Sequence, residues 1–211
     1  MPFFFQQAAF NITVAETKGL PDSTLPEIAF VGRSNAGKSS AINALTNQKQ
    51  LAHMSKMPGR TQHLNFFDVI RKKESVGFLV DLPGYGYAKT TKQTTKNWDG
   101  FLGQYLVSRQ QLKGLVLVMD CRRPVTDLDE IMIRWFAKVH KPIHILLNKS
   151  DKLNNEEKVK SIRICKEKIN SLKLPHNLIE IQLFSSSKKQ GVEELSKKLQ
   201  TWLNYSENTE E

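Results

Sequence analysis

Six apolar runs punctuate the chain at strand length: Ile28 to Val31, Leu64 to Ile70, Val76 to Val80, Leu115 to Met119, Ile143 to Leu147 and Ile179 to Phe184. Between them, Lys38 to Leu45, Leu128 to Val139, Glu156 to Leu172 and Val192 to Leu203 repeat apolar positions at three and four residues, as helices with one buried face do. The alternation predicts an α/β fold of three layers, a mostly parallel six-stranded sheet with helices on both faces. One connection differs. Arg71 to Ser75 is too short for a crossover helix, so the strands it joins are predicted to be antiparallel neighbours, giving the sheet one antiparallel strand.

With 211 residues the chain has room for one well-cored domain, drawn here as residues 23–205 between an N-terminal extension, 1–22, and an acidic tail, 206–211. Hydrophobic residues at 39% and charged residues at 25% exclude a disordered chain. A formal net charge of +10 changes the picture more, because a basic surface attracts phosphate polymers or anionic membrane. A solvated lysine-rich face accounts for the charge equally well. Nine basic against four acidic side chains fall between Leu51 and Leu112. There, His53, Lys56, Arg60, His63, Lys89, Lys92 and Lys96, with Trp98 nearby, would offer a surface to RNA phosphates and bases, although Trp98 is better read as a core residue. Arg122-Arg123, Lys188-Lys189 and Lys197-Lys198 read equally as plain surface.

Cys121 and Cys165 suggest neither a disulfide framework nor a metal cluster. The apolar start, Met1 to Phe5, has no basic lead and is cut short by Gln6 and Gln7, which fits neither a signal peptide nor a membrane span. A cytoplasmic protein without a membrane partner is expected. No helix carries a sustained heptad seam, which makes a monomer the expectation.

The chemistry is concentrated in five segments. Gly32-Arg33-Ser34-Asn35-Ala36-Gly37-Lys38-Ser39 fits G-x-x-x-x-G-K-[ST] between a strand and a helix, where glycines let backbone N–H groups wrap phosphates, Lys38 adds a point charge and the Ser39 hydroxyl reaches Mg2+. Asp81-Leu82-Pro83-Gly84 ends a strand, so that Asp81 can approach the ion through water and the Gly84 N–H can meet a γ-phosphate. Between them, Pro58-Gly59-Arg60-Thr61-Gln62 offers a threonine hydroxyl, which taken alone is as well read as a turn residue. Asn148-Lys149-Ser150-Asp151 follows a strand, and an aspartate there can accept from the N1 and N2 donors of guanine, which adenine lacks. The last and least specific segment is Phe184-Ser185-Ser186-Ser187, whose backbone N–H groups can face the guanine O6.

The order and spacing of the five resemble the GTPase superfamily. In detail, Gly32 to Ser40, Pro58 to Gln62, Asn65-Phe66-Phe67, Asp81-Leu82-Pro83-Gly84-Tyr85-Gly86-Tyr87-Ala88 and Asn148 to Asp151 are similar to the EngB/YihA/YsxC family of bacterial GTPases over nearly the whole chain. That resemblance implies a Ras-like fold, binding of GTP or GDP with Mg2+, GTP hydrolysis, work on the large ribosomal subunit or its precursor with rRNA as the contact, and a requirement in cell division and septation. A division-site adaptor that never touches RNA is the competing function. Carried over by position, Ser39 and Thr61 are the metal ligands; Lys38, Thr61 and Gly84 act on the reacting phosphate. Gly59, Arg60, Gln62, His63, Leu82 and Pro83 also fall among the nucleotide-binding positions, and Ser40 joins the phosphate loop. Asn148, Lys149, Ser150, Asp151, Phe184, Ser185 and Ser186 hold the base. Two differences from the wider superfamily stand out. The final loop has Ser185-Ser186-Ser187 where many relatives have Ser-Ala-Lys, and Tyr85 follows Gly84 where Ras-type proteins carry a glutamine, which implies slow intrinsic turnover. Asn35 resembles the asparagine with which potassium-stimulated GTPases hold K+, or else serves only backbone tolerance in a tight loop.

Overall fold

A computed structural model describes residues 4–53, 63–86, 100–175 and 178–205. Seven strands form one sheet: β1 (Ala9–Val14), β2 (Glu27–Gly32), β3 (Leu64–Arg71), β4 (Glu74–Asp81), β5 (Leu112–Asp120), β6 (Ile143–Asn148) and β7 (Ile179–Leu183), in the order β1-β3-β4-β2-β5-β6-β7. Among the described residues the helices are α1 (Lys38–Leu45), α2 (Phe101–Ser108), α3 (Asp127–Ala137), α4 (Asn155–Ser171) and α5 (Val192–Trp202).

The expected six strands are therefore seven. The added one, β1, comes from the segment set apart as an extension and pairs antiparallel with β3, with an irregularity between Phe10 and Ile12. The side-chain bonds Asn11 Nδ2 to Asp68 Oδ2 and Thr13 Oγ1 to Asn65 Oδ1, both 2.7 Å, hold the pair. Phe4 and Phe5 from the same segment are buried against the sheet. The strand β3 alone runs against the rest, as the short 71–75 connection requires. Its hairpin with β4 turns on Lys72 and Lys73, whose φ of 48° and 69° match the handedness of a two-residue turn between twisted strands.

Alternate side chains of the parallel strands feed two cores. Ile28, Phe30, Val116 and Val118 pack with α1 and α5, while Ala29, Val31, Leu115 and Leu117 pack with α2, α3 and α4. Glu27 opens β2 fully buried, because Arg109 at the end of α2 donates to Oε1 from Nε at 2.8 Å and Nη2 at 2.6 Å, and Tyr105 donates to Oε2 at 2.9 Å. Backbone pairing of Glu27 with Phe78 and Leu112 starts β2 one residue ahead of the apolar run. Neighbours β4 and β5 flank β2, so the chain leaves the carboxyl end of β2 where the strand order reverses, the place at which open α/β sheets bind ligands.

Candidate nucleotide-binding site

Four strand ends converge there. Asp81 lies beside Phe30 in the β2–β4 register, and Asp120 beside Asn148 in the β5–β6 register. From β2 the chain turns through Gly32 to Gly37 into α1. A Cβ on Gly32 would stand 2.6 Å from the Val118 carbonyl oxygen, and one on Gly37 would strike the Asn148 amide. Gly37 caps α1 at φ 96°, and Asn35 ahead of it is also left-handed at φ 64°. The loop is thus tight and leads into a helix N-terminus whose cap, a glycine, has no side chain to occupy the first N–H groups, an arrangement that suits an anion.

Asn148 fastens this loop to the last one. Its Nδ2 donates to the carbonyls of Ala36 at 3.0 Å and Gly37 at 3.4 Å, while its Oδ1 accepts from Ser186 N at 3.2 Å and Ser186 Oγ at 3.0 Å. Next to it Lys149, itself left-handed, stretches along the phosphate loop to donate to Asn35 O at 2.6 Å and Asp120 Oδ2 at 3.0 Å. Burial opposes the charge on Asp120, but hydrogen bonds from Arg122 and Lys149 outweigh it and hold the carboxyl well below the usual carboxylate range. Asp151 accepts from Ser185 Oγ at 2.5 Å, and that bond keeps its carboxyl below the ordinary value. Ser150 is buried with its N–H bonded to Phe184 O, and Phe184 is wholly buried, so both support the loop through backbone.

On the phosphate side, Lys38 and Asp81 form an ion pair at the carboxyl ends of β2 and β4. Ser39 Oγ donates to His53 O at 3.2 Å. Leu82 is buried and its N–H continues the sheet to Phe30 O at 2.9 Å. Beyond Pro83 and Gly84, Tyr85 zips onto the phosphate loop: its N–H donates to Gly32 O at 3.2 Å, and its carbonyl accepts from Ser34 N at 2.9 Å and Ser34 Oγ at 3.3 Å. The Tyr85 ring is buried, and its hydroxyl donates to Asp129 Oδ1 at 2.5 Å. Burial and the Asp129 carboxylate raise the phenol well above its ordinary value.

Gly37, Ser40, Asn148, Lys149, Asp151 and Ser186 line one cleft of about 880 Å³. Its far wall includes Asn43, which exchanges two hydrogen bonds with Ala52, and His53. Neither Asn43 nor Asp120 stood out in the sequence. The only signal for Asp120 is its place at a strand end in register with Asn148. Gly59, Arg60, Thr61 and Gln62 lie outside the described residues, as do Lys56, Lys89, Lys92, Lys96 and Trp98; His63 is half-buried just ahead of β3. Cys121 and Cys165 are both buried and free. Among the described residues no helix is long and apolar enough to cross a membrane.

A glycine-bounded loop between β2 and α1, clasped to a strand-end Asn-Lys-x-Asp segment, defines a P-loop nucleotide-binding protein, and the family model described as 50S ribosome-binding GTPase matches residues 27–149. The protein is a GTPase. Across 203 residues it is 51% identical to the probable GTP-binding protein EngB of Dechloromonas aromatica (strain RCB), covering 96% of this chain and 90% of the relative; the chain belongs to the EngB family of GTP-binding proteins. The fold is shared with the crystal structure of a probable GTP-binding protein EngB, at 22% identity and TM-score 0.63 over 84% of this chain and 98% of that one. It is shared too with Era, crystallised with MgGDPNP and nucleotides 1506–1542 of 16S ribosomal RNA, at 22% identity and TM-score 0.63 over 88% of this chain and 59% of that one.

Proposed function

We propose that this GTPase binds GTP or GDP with Mg2+, turns over slowly alone, and works in the cytoplasm as a switch in assembly of the large ribosomal subunit, with normal division and septation depending on that work. The observation that carries the nucleotide reading is the Asn148 clasp, which brings the phosphate loop and the base segment to one cleft. In this reading the backbone of Gly32 to Ser40 cradles the phosphates and Lys38 turns its charge from Asp81 to them. Asp151 accepts from the guanine N1 and N2 donors; a purine without them would leave the carboxylate unpaired. Ser185 and Ser186 close the loop beside it.

The donor set suits a hard cation. Among the described residues no group of three His, Cys, Asp or Glu side chains is placed to hold a metal, so an ion here would draw on the Ser39 and Thr61 hydroxyls and on the nucleotide, with Asp81 reached through water. When bound, Mg2+ neutralises charge on the phosphate oxygens. Lys38 and the Gly84 N–H are this chain's own donors toward that charge. Slow turnover is supported by Tyr85, whose hydroxyl is engaged by Asp129 inside the core. The left-handed, exposed Asn35 is accounted for by loop geometry alone; a role in holding K+ requires faster hydrolysis in potassium than in sodium, and equal rates remove it.

The ribosomal part is supported by the description of the matching family and by the formal charge of +10. Co-sedimentation with large subunits, in GDP or a non-hydrolysable GTP analogue across a salt series, tests it. Binding with the analogue that weakens as salt rises is the expected result. No binding in either state at low salt, with nucleotide occupancy verified, would sink the ribosomal role and leave the division-site adaptor.

A further inference from the structure

Arg122-Arg123 and Arg33 are distant in sequence, yet they meet beside the phosphate loop around a pocket of about 410 Å³, whose remaining wall is Asp120. The carboxylate in that wall is already engaged. Arg122 donates to Asp120 Oδ1 from its backbone N at 3.1 Å and from Nε at 2.9 Å, and to Oδ2 from Nη2 at 2.6 Å; Lys149 takes Oδ2 at 3.0 Å. Among the described residues, Arg33 and Arg123 form no side-chain hydrogen bond or ion pair. Arg33 is held by its stem instead. Gly86, left-handed at φ 99°, lets that stem lie so close that a Cβ there would stand 3.0 Å from Arg33 Cγ.

We infer that this pocket is a binding site for a phosphate of an RNA backbone, received by the guanidiniums of Arg33 and Arg123; the inference rests on the ribosome-directed reading and gives it a contact. Three guanidiniums stand against one satisfied carboxylate, and a planar guanidinium fork matches phosphate oxygens two at a time. Arg122 and Arg123 are exposed, as surface lysines are, but here three guanidiniums share one concave wall, so a single phosphate can meet more than one of them. The polyanion, rather than an acidic protein, is favoured by the chain's overall +10, which draws a long phosphate backbone from a distance. Arg33 also belongs to the phosphate loop, and its backbone bridges to Tyr85, which places the pocket against the segment that follows Gly84.

The test uses the full chain loaded with a GTP analogue, a fluorescent single-stranded RNA oligomer and a salt series. The variants are Arg123→Glu and, as a charge-matched control on α4, the exposed Arg163→Glu. Arg123→Glu is expected to weaken RNA binding roughly tenfold and to reduce the salt slope by about one, with Arg163→Glu within about twofold of the parent. GDP affinity should stay unchanged in both. Equal losses in the two variants, no loss in Arg123→Glu, or no RNA binding by the parent overturns the site. A polyglutamate peptide that binds in place of RNA, and is lost in Arg123→Glu, also overturns RNA as the ligand. Large-subunit sedimentation run in parallel separates the two ideas. Parent protein that fails to sediment yet binds RNA through Arg123 removes the ribosomal reading and leaves the pocket; variants that sediment alike, with RNA binding indifferent to Arg123, do the reverse.

Discussion

Tyr85 Oη donates to Asp129 Oδ1 at 2.5 Å, joining the residue after the D-L-P-G segment to the first turn of α3 inside the core. The other oxygen of Asp129 accepts from Thr126 N at 2.8 Å and Thr126 Oγ1 at 2.7 Å, so one carboxylate both caps α3 and anchors Tyr85. A tyrosine fixed in this way cannot orient an attacking water. Tyr85→Phe should therefore leave the intrinsic kcat within about threefold of the parent while costing about 1–2 kcal/mol of stability, the usual loss when a buried acceptor loses its donor. Urea unfolding and single-turnover hydrolysis read the two quantities separately. A large fall in kcat with unchanged stability would contradict the structural role.

Asn148 illustrates why base and phosphate loops act as one site. Replacing it with alanine removes Nδ2 from the Ala36 and Gly37 carbonyls and Oδ1 from Ser186 at the same time. Two loops then lose their common fastener, and we expect GDP affinity to fall tenfold to a hundredfold, about 1.4–2.8 kcal/mol. Gly37→Ala should do at least as much, since it adds a left-handed Cβ aimed at the same amide. Titration with a fluorescent GDP analogue measures both, and an unchanged Kd in Asn148→Ala would show that the loops are held together by other contacts.

Much of this arrangement was legible in the sequence because it rests on local rules. Each of the six apolar runs became a strand, most plainly the central β2, β5 and β6, which are buried on both faces, and the phosphate loop announces itself through glycines that no other residue can replace. The strand β1 escaped notice for the opposite reason. It is an edge strand whose large apolar residues face outward, with Phe10 57% and Ile12 40% exposed, so it shows no buried run. Helix α2 is as short as α1 but lacks the flanking phosphate-loop motif that marks where α1 begins. Glu27 and Asp120 are long-range cases. Nothing near Glu27 in sequence reports Arg109, and nothing near Asp120 reports Lys149; both pairings come from the order of strands and helices in space.

Asp151 tests the base reading. Asp151→Asn should reverse preference from guanine to xanthine nucleotides, because an amide can donate where the carboxylate accepts. The pH dependence follows from Ser185. Its hydrogen bond holds the Asp151 carboxyl below the ordinary value, so the ionised form persists as pH falls through the normal aspartate range near 3.9, and this group should leave GDP affinity level from pH 8 to about 5. In Ser185→Ala the pKa should rise, and affinity should begin to fall at higher pH than in the parent. Competition between GDP and XDP, repeated along a pH series, reads both effects. An Asp151→Asn protein that still prefers GDP would remove this residue from base recognition.

His144 in β6 predicts a different pH response, one of folding rather than binding. The ring is buried, and its Nε2 lies 2.8 Å from Gln182 Oε1, while Gln182 donates from Nε2 to Gly191 O at 2.7 Å; the Nε2-protonated neutral tautomer fits this chain. Burial lowers the imidazole pKa from its ordinary value of 6.5, only partly offset by Gln182 and by Glu180, whose carboxylate stays 3.6 Å from Nδ1. Because the folded state disfavours the proton, the unfolded chain binds it first. The stabilisation is complete above about pH 6.5 and is lost as pH falls from there through the lower folded pKa. Urea unfolding midpoints should therefore decline between pH 7 and 5, and His144→Gln, which keeps an amide donor toward Gln182 but cannot titrate, should flatten that part of the profile. If the parent and His144→Gln decline in parallel, protonation elsewhere governs the acid limb and the buried imidazole is a passive packing group.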